Sequence, residues 1–154
     1  MSTIQSLLAM PRRESKMYLA DTNVISETRR PERTHRGVRD FFSRAERNRH
    51  DIHLSVVTVA ELRQGVHRLR HKGDAKQAAT LEAWVNDVLQ AYKQRILPVN
   101  KEIGKVWGRL RVPHAEPALD KLIAATALIH DLTVVTRNVR DFEIVGVKTL
   151  NPFE

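Results

Sequence analysis

Cysteine is absent from this chain, so neither a disulfide nor a thiolate metal site contributes to its fold, which suits a reducing compartment. No apolar run approaches the roughly 18 residues that a membrane helix needs, which argues against an integral membrane protein. Internal repeats and low-complexity tracts are missing. So is an H-E-x-x-H zinc motif. A secretory leader is not expected either: Ile4, Leu7 and Leu8 form too short an apolar segment, and basic residues follow it rather than precede it.

What remains is ordinary globular material, 154 residues of which 42% are hydrophobic and 29% charged, enough for one domain. Residues 1–16 read as a loosely held extension, and the domain is expected to run over 17–154. Positive charge predominates: 26 Lys and Arg stand against 18 Asp and Glu, for a net charge of +8. Such a balance favours polyanionic partners and says nothing of fold. Arginine gathers early, at Arg29, Arg30, Arg33, Arg36, Arg39, Arg44, Arg47 and Arg49. That stretch reads equally well as a solvated helix face and as a phosphate-binding surface, arginine's planar fork weighing towards the latter.

From Met17 onward strand and helix signals alternate. MYLA is a strand, followed by a turn-rich loop. In GVRDFFSRAERNR, Val38, Phe41, Phe42 and Ala45 share one helical face. HLSVV is a β-branched run suited to a buried strand, and Val59, Leu62, Val66 and Leu69 then stripe a helix. The next helix turns Ala78, Leu81, Trp84, Val85, Val88 and Tyr92 inward. RILPV is a short strand, after which Asn100 caps a helix bearing Ile103, Val106, Trp107 and Leu110. Pro117 suits the first turn of PALDKLIAATALIHD, and LTVV and VGVKTL are the last strands. Alternation of this kind predicts parallel pairing through right-handed crossovers, hence a three-layer α/β/α domain. Trp84, Tyr92 and Trp107 fall on inward stripes and read as core, contributing also to a dimer face, rather than as a base-stacking platform.

Four carboxylates, Asp21, Glu61, Asp120 and Asp141, occupy separate stretches, each beside a strand or helix end. Singly, each has a plain explanation. Asp21 forms an Asx-turn or cap before Thr22 and Asn23. Thr58 and Glu61 match a capping box. Asp120 complements a helix dipole, and Asp141 closes the loop Arg137–Arg140. Jointly they mean more, because ligands of α/β sheets sit at the carboxyl ends of strands where strand order reverses. Four unrelated caps have no reason to meet there, whereas hard oxygen ligands for Mg²⁺ or Mn²⁺ do.

The segments DTNVISE, T-V-A-E-L-R-x-G, D-x-x-I-A-A-T-A and T-R-N-x-x-D-F, in this order, resemble PIN-domain ribonucleases over residues 17–153. More narrowly they resemble the VapC toxins of bacterial toxin–antitoxin pairs, in the FitB-like branch. The resemblance implies a PIN-like sheet of five parallel strands ordered 3-2-1-4-5, within residues 17–154. It implies a cytoplasmic endoribonuclease dependent on Mg²⁺ or Mn²⁺. The implied partners are RNA, a cognate VapB-type antitoxin and a second copy of the chain, with higher toxin–antitoxin assembly open and no membrane. Asp21, Glu61 and Asp120 carry over as site residues, Asp21 and Asp120 as first choices for metal contact. Some relatives place the fourth acid where Asn138 stands and others where Asp141 stands. Asp141 is taken here, also as a metal residue with Glu61, and Thr22, Asn23, Thr136 and Asn138 are taken to support substrate or water.

A bound dication would make water nucleophilic near neutral pH, and in-line attack would leave 5′-phosphate and 3′-hydroxyl ends. Three rivals are weaker. A histidine ribonuclease has His67 and His71 on one helix face but nothing to organise them. An aspartate-nucleophile phosphatase wants a second acid where Asn23 stands. A basic binding module without catalysis leaves the acids unexplained, since they repel phosphate unless a cation intervenes.

Overall fold

The structure, a computed structural model, describes residues 16–154. Met17–Ala20 (β1), Asp51–Ser55 (β2), Ile96–Leu97 (β3), Thr133–Val135 (β4) and Thr149–Leu150 (β5) form one sheet in the order β3-β2-β1-β4-β5. Every pairing is parallel, with Leu19 of the central strand between His53 and Val134. This is the α/β architecture expected from the alternation of elements, with the strand order that the family resemblance implied.

Parallel neighbours need crossovers, and helices supply them. Between β1 and β2 run Thr22–Glu27 (α1), a 3₁₀ turn at Pro31–Arg33 and Arg36–Arg47 (α2). Val56–His71 (α3) and Ala75–Ala91 (α4) lead to β3, and Lys101–Leu110 (α5) and Ala118–His130 (α6) lead to β4. Val139–Glu143 (α7) precedes β5. Successive strand residues point to opposite faces, so the sheet carries a core on each side. Tyr18, Ala20 and Val135 join Ile25, Val38, Phe41, Leu62, Val66 and Val85 on one face. Leu19 and Val134 join Ile123, Ala124, Ala127 and Phe142 on the other. Burial of a Leu, Val or Phe contributes about 1.5–3 kcal/mol, and it is greatest at β1 and β4, which fixes the strands that carry the site.

Several local expectations are revised. β2 begins at Asp51 and stops at Ser55, whose Oγ accepts the Val57 N–H at 3.0 Å, so Val56 and Val57 open α3 instead of ending a strand. Ser55 is therefore the cap, and Thr58 with Glu61 is not a capping box but lies inside α3. Thr22–Glu27 is helical where a loop was expected, because Asp21 caps it. Val139–Glu143 is helical too, with Asn138 at its N-cap. Pro117 sits at the N-cap of α6, one residue earlier than expected. Of VGVKTL only Thr149 and Leu150 are strand, since Gly146 turns the chain at φ +83. Trp84 and Tyr92 are half-buried against the first core. Trp107 is also half-buried, donates to the Ala118 carbonyl at 2.9 Å and carries Arg111 at 4.8 Å from its ring. These rings close the rim of the core rather than fill its centre. Of the expected extension over residues 1–16, residues 1–15 lie outside the described residues; Lys16, its last residue, is bonded to His50 and Asp51.

Candidate active site

Strand order reverses between β1 and β4, and the site begins there. Asp21 directly follows β1, and its backbone N–H donates to Val135 of β4 at 2.9 Å. Only 4% of its surface is exposed. Its Oδ1 accepts the Thr22 N–H at 2.8 Å, which starts α1. Its Oδ2 accepts from the Thr136 hydroxyl at 2.8 Å and from the Asn23 amide at 3.3 Å. Thr136 stands just beyond β4, so the bond between these buried side chains spans the switch point. Burial pushes the Asp21 carboxyl above its ordinary range, opposed by its bonds from Thr136 and Thr22. A carboxylate offers about four acceptor positions; three are taken, and the one left is on Oδ1.

Glu61 arrives from α3. Thr22 Oγ1 donates to Glu61 Oε1 at 2.7 Å and lies 3.0 Å from the fully buried Thr58 hydroxyl. Thr22 thus joins the turn after β1 to α3, as Thr136 joins it to β4. An open cavity of about 620 Å³ adjoins Glu61, walled by Val56, Val57, Leu119 and Leu122 with His67 at its rim.

Asp120 lies in the first turn of α6, where Glu116 rather than Asp120 accepts the Ala118 N–H. Burial first, and then Asp21, Asp141 and Glu61 in that order, push the Asp120 carboxyl up to about 6. Each of the other three acids is near enough to act on it. Asp141 is half-buried in the first turn of α7, its N–H donating to the Asn138 carbonyl at 3.2 Å. Asn138 is exposed, and its N–H donates to Thr136 Oγ1 at 2.9 Å. The structure therefore brings Asp21, Glu61, Asp120 and Asp141 to one edge, with Thr22, Asn23 and Thr136 tied to Asp21 or Glu61.

Hard oxygen donors without sulfur or imidazole suit Mg²⁺ or Mn²⁺. Among the described residues no three acidic or histidine side chains are close enough to form a ready three-ligand site. These ions retain several waters and take one or two direct carboxylates, so the donor set fits them. A cation would also relieve the repulsion around Asp120.

The sequence reading placed Arg137 within T-R-N-x-x-D-F and Phe153 at the end of the matched segment, but gave neither a role in the site. The Arg137 N–H donates to Asn23 Oδ1 at 3.2 Å, and its guanidinium lies 3.8 Å from the Phe153 ring centroid. The advance signals were the position of Arg137 between Thr136 and Asn138 and the inclusion of the terminal NPF in the resemblance. In the early arginine stretch, Arg39 donates to the carbonyls of Pro31 and Thr34 and Arg36 approaches Asp40 at 4.0 Å, while Arg30, Arg33, Arg44 and Arg47 are exposed.

Residues 18–148 match the family model of the PIN domain. The chain is 37% identical over 142 residues to Toxin FitB of Neisseria gonorrhoeae, covering 89% of this chain and 99% of that protein. It is 30% identical over 143 residues to VapC ribonuclease Y4jK of Sinorhizobium fredii, covering 90% and 99%. Among solved structures, the crystal structure of FitAcB from Neisseria gonorrhoeae superposes with a TM-score of 0.76 at 35% identity, over 90% of this chain and 99% of that one.

Proposed function

This chain belongs to the PIN domain family, and from that premise we propose that it is an endoribonuclease dependent on Mg²⁺ or Mn²⁺ that serves as the toxin of a bacterial toxin–antitoxin pair. The observation that carries this reading is the meeting of acids from four segments at the switch point of the sheet, bridged by the Thr136–Asp21 and Thr22–Glu61 bonds. The likeness to a protein named a VapC ribonuclease and to one named a toxin supports it.

Asp21 and Asp120 would hold the ion directly, with Glu61 and Asp141 beside them. When bound, such an ion supplies Lewis-acid polarisation of the phosphodiester and acidifies water. The protein's part is positional. Thr136, Asn23 and the Thr22 N–H fix the Asp21 carboxylate, and the Thr22 hydroxyl fixes Glu61. Glu61 or Asp141 orients a water and accepts its proton as its oxygen attacks phosphorus in line. The bond from phosphorus to O3′ breaks and O3′ takes a proton from solvent water, giving 5′-phosphate and 3′-hydroxyl ends. No 2′-hydroxyl is consumed, so preference for RNA comes from contacts, among them Asn138 at the exposed lip. A VapB-type antitoxin would silence the site, a second copy would pair with the chain, and the setting is the bacterial cytoplasm.

Incubation of the purified protein with total RNA, with and without Mn²⁺, tests this directly. New 5′-phosphate ends are expected only with metal, and none from Asp21→Asn or Asp120→Asn variants that remain folded. Undiminished cleavage by either variant, or in excess EDTA, overturns the reading.

A further inference from the structure

Arg137 borders the acidic centre through its backbone, which donates to Asn23, itself bonded to Asp21. A cationic side chain at the border of an acidic centre is drawn towards it by Coulomb attraction. Yet the Arg137 guanidinium enters none of the ion pairs found among the described residues. It lies over the Phe153 ring instead, 3.8 Å from the centroid, well inside the roughly 6 Å reach of a ring quadrupole for a cation.

Phe153 is in turn held by the tail that carries it. Pro152 is buried, and its carbonyl oxygen lies 1.9 Å from where a Cβ at position 37 would stand. Only glycine admits that approach, so the first turn of α2 is shaped to receive the tail. The Phe153 N–H donates to Asn151 Oδ1 at 2.9 Å, and the His35 ring, which caps α2, lies 5.4 Å from Phe153. Three segments distant in sequence thus meet around one exposed guanidinium. With a ring over one face, its edge donors stay open to solvent, in the fork that suits phosphate.

We propose that Arg137 is the substrate-binding cation of this site: its guanidinium, kept off the carboxylates by Phe153, grips an RNA backbone phosphate next to the scissile one. Phe153 and the Asn151–Pro152 turn are positioning residues. The identity of the polyanion rests on the ribonuclease reading above. The arrangement serves both charges at once: the acids stay available to a metal ion and the arginine to phosphate.

The test is fluorescence anisotropy of a labelled single-stranded RNA oligonucleotide with the full chain in Ca²⁺, across a salt series. Arg137→Ala should weaken binding about tenfold. It should also lower the slope of log affinity against log salt by about 0.7, the loss of one phosphate contact, which a merely structural role would not do. Arg137→Lys should restore the slope but only part of the affinity. Phe153→Leu, which keeps bulk but loses the ring, should weaken binding about threefold, and Phe153→Trp should restore it. Wild-type affinity and slope in Arg137→Ala overturn the proposal, and wild-type affinity in Phe153→Leu overturns the positioning role. Cleavage in Mn²⁺ is scored separately: a wild type that binds RNA but never cuts it refutes the nuclease alone, one that cuts RNA without measurable binding refutes the phosphate contact alone, and one that does neither refutes both.

Discussion

Two places in this molecule gather charge, and they do so in opposite ways. Between α3 and α4, Glu82 meets Arg63 at 3.2 Å and Arg70 at 2.7 Å. Its bond from Arg70 holds the Glu82 carboxyl below its ordinary range. At the sheet edge, Asp120 is pushed up to about 6 by burial and by three like charges. Matched charge fastens one helix to another. Unmatched like charge opposes folding, and under the proposed function a bound cation would offset it. The number of carboxylates in a chain therefore says little; their company says much.

The sharpest way to break this contrast is to neutralise one acid at the edge. Asp120→Asn keeps size and shape, yet should lower metal-dependent RNA cleavage about a thousandfold or more, the loss of several kcal/mol of charge stabilisation. A turnover assay on a fixed RNA decides it, and an effect under tenfold would remove Asp120 from the site. Thr136→Val comes next. It deletes the buried donor that holds Asp21 from across the switch point. Losses of about 10–100-fold are typical when the partner of a ligand is removed, and kcat is expected to fall with little change in KM.

The third prediction reverses sign. Without divalent ions, Asp120→Asn should melt higher than the wild type near neutral pH, because a charge disfavoured by burial and by three neighbouring acids has gone. Allowing for solvent screening at this half-buried group, the gain is about 1 kcal/mol, or roughly 3 °C. Millimolar Mn²⁺ should then raise the melting temperature of the wild type and leave the variant nearly unmoved, since an ion that binds only the native state stabilises it by mass action. A variant that is inactive and also less stable would mean that Asp120 is a structural cap after all.

The contrast also explains what the sequence made legible. The sheet was readable because MYLA and LTVV are short apolar runs with polar punctuation, and because helices alternate with them. The acids were readable because each lies beside such an element. Polar or short stretches hid the rest. Asp51 disguised the start of β2, which was placed at His53, and Ser55, as the true cap of α3, was masked by the valines after it. α1 has six residues, too few for a periodic signal, and depends on Asp21 for its start. No local pattern announces that Phe153 reaches Arg137 or that Pro152 needs Gly37; those are tertiary contacts.

Glu82→Gln is the smallest of the expected effects and the control for the others. Its partners lie on the surface of the α3–α4 pair, with side-chain exposures of 36% for Arg63 and 43% for Arg70, so water and salt already screen the interaction. Loss of the charge should lower the melting temperature slightly, less so as salt rises, and leave cleavage and RNA affinity at wild-type levels. The sign with pH follows from the depressed carboxyl. Glu82 contributes stability above its unfolded value of 4.5, and that contribution fades as pH falls further through the lower folded value. The difference in melting temperature between Glu82→Gln and the wild type should therefore close in acid. Were this surface pair to matter for cleavage as much as Asp120 does, the division between charge that fastens and charge that works would not hold.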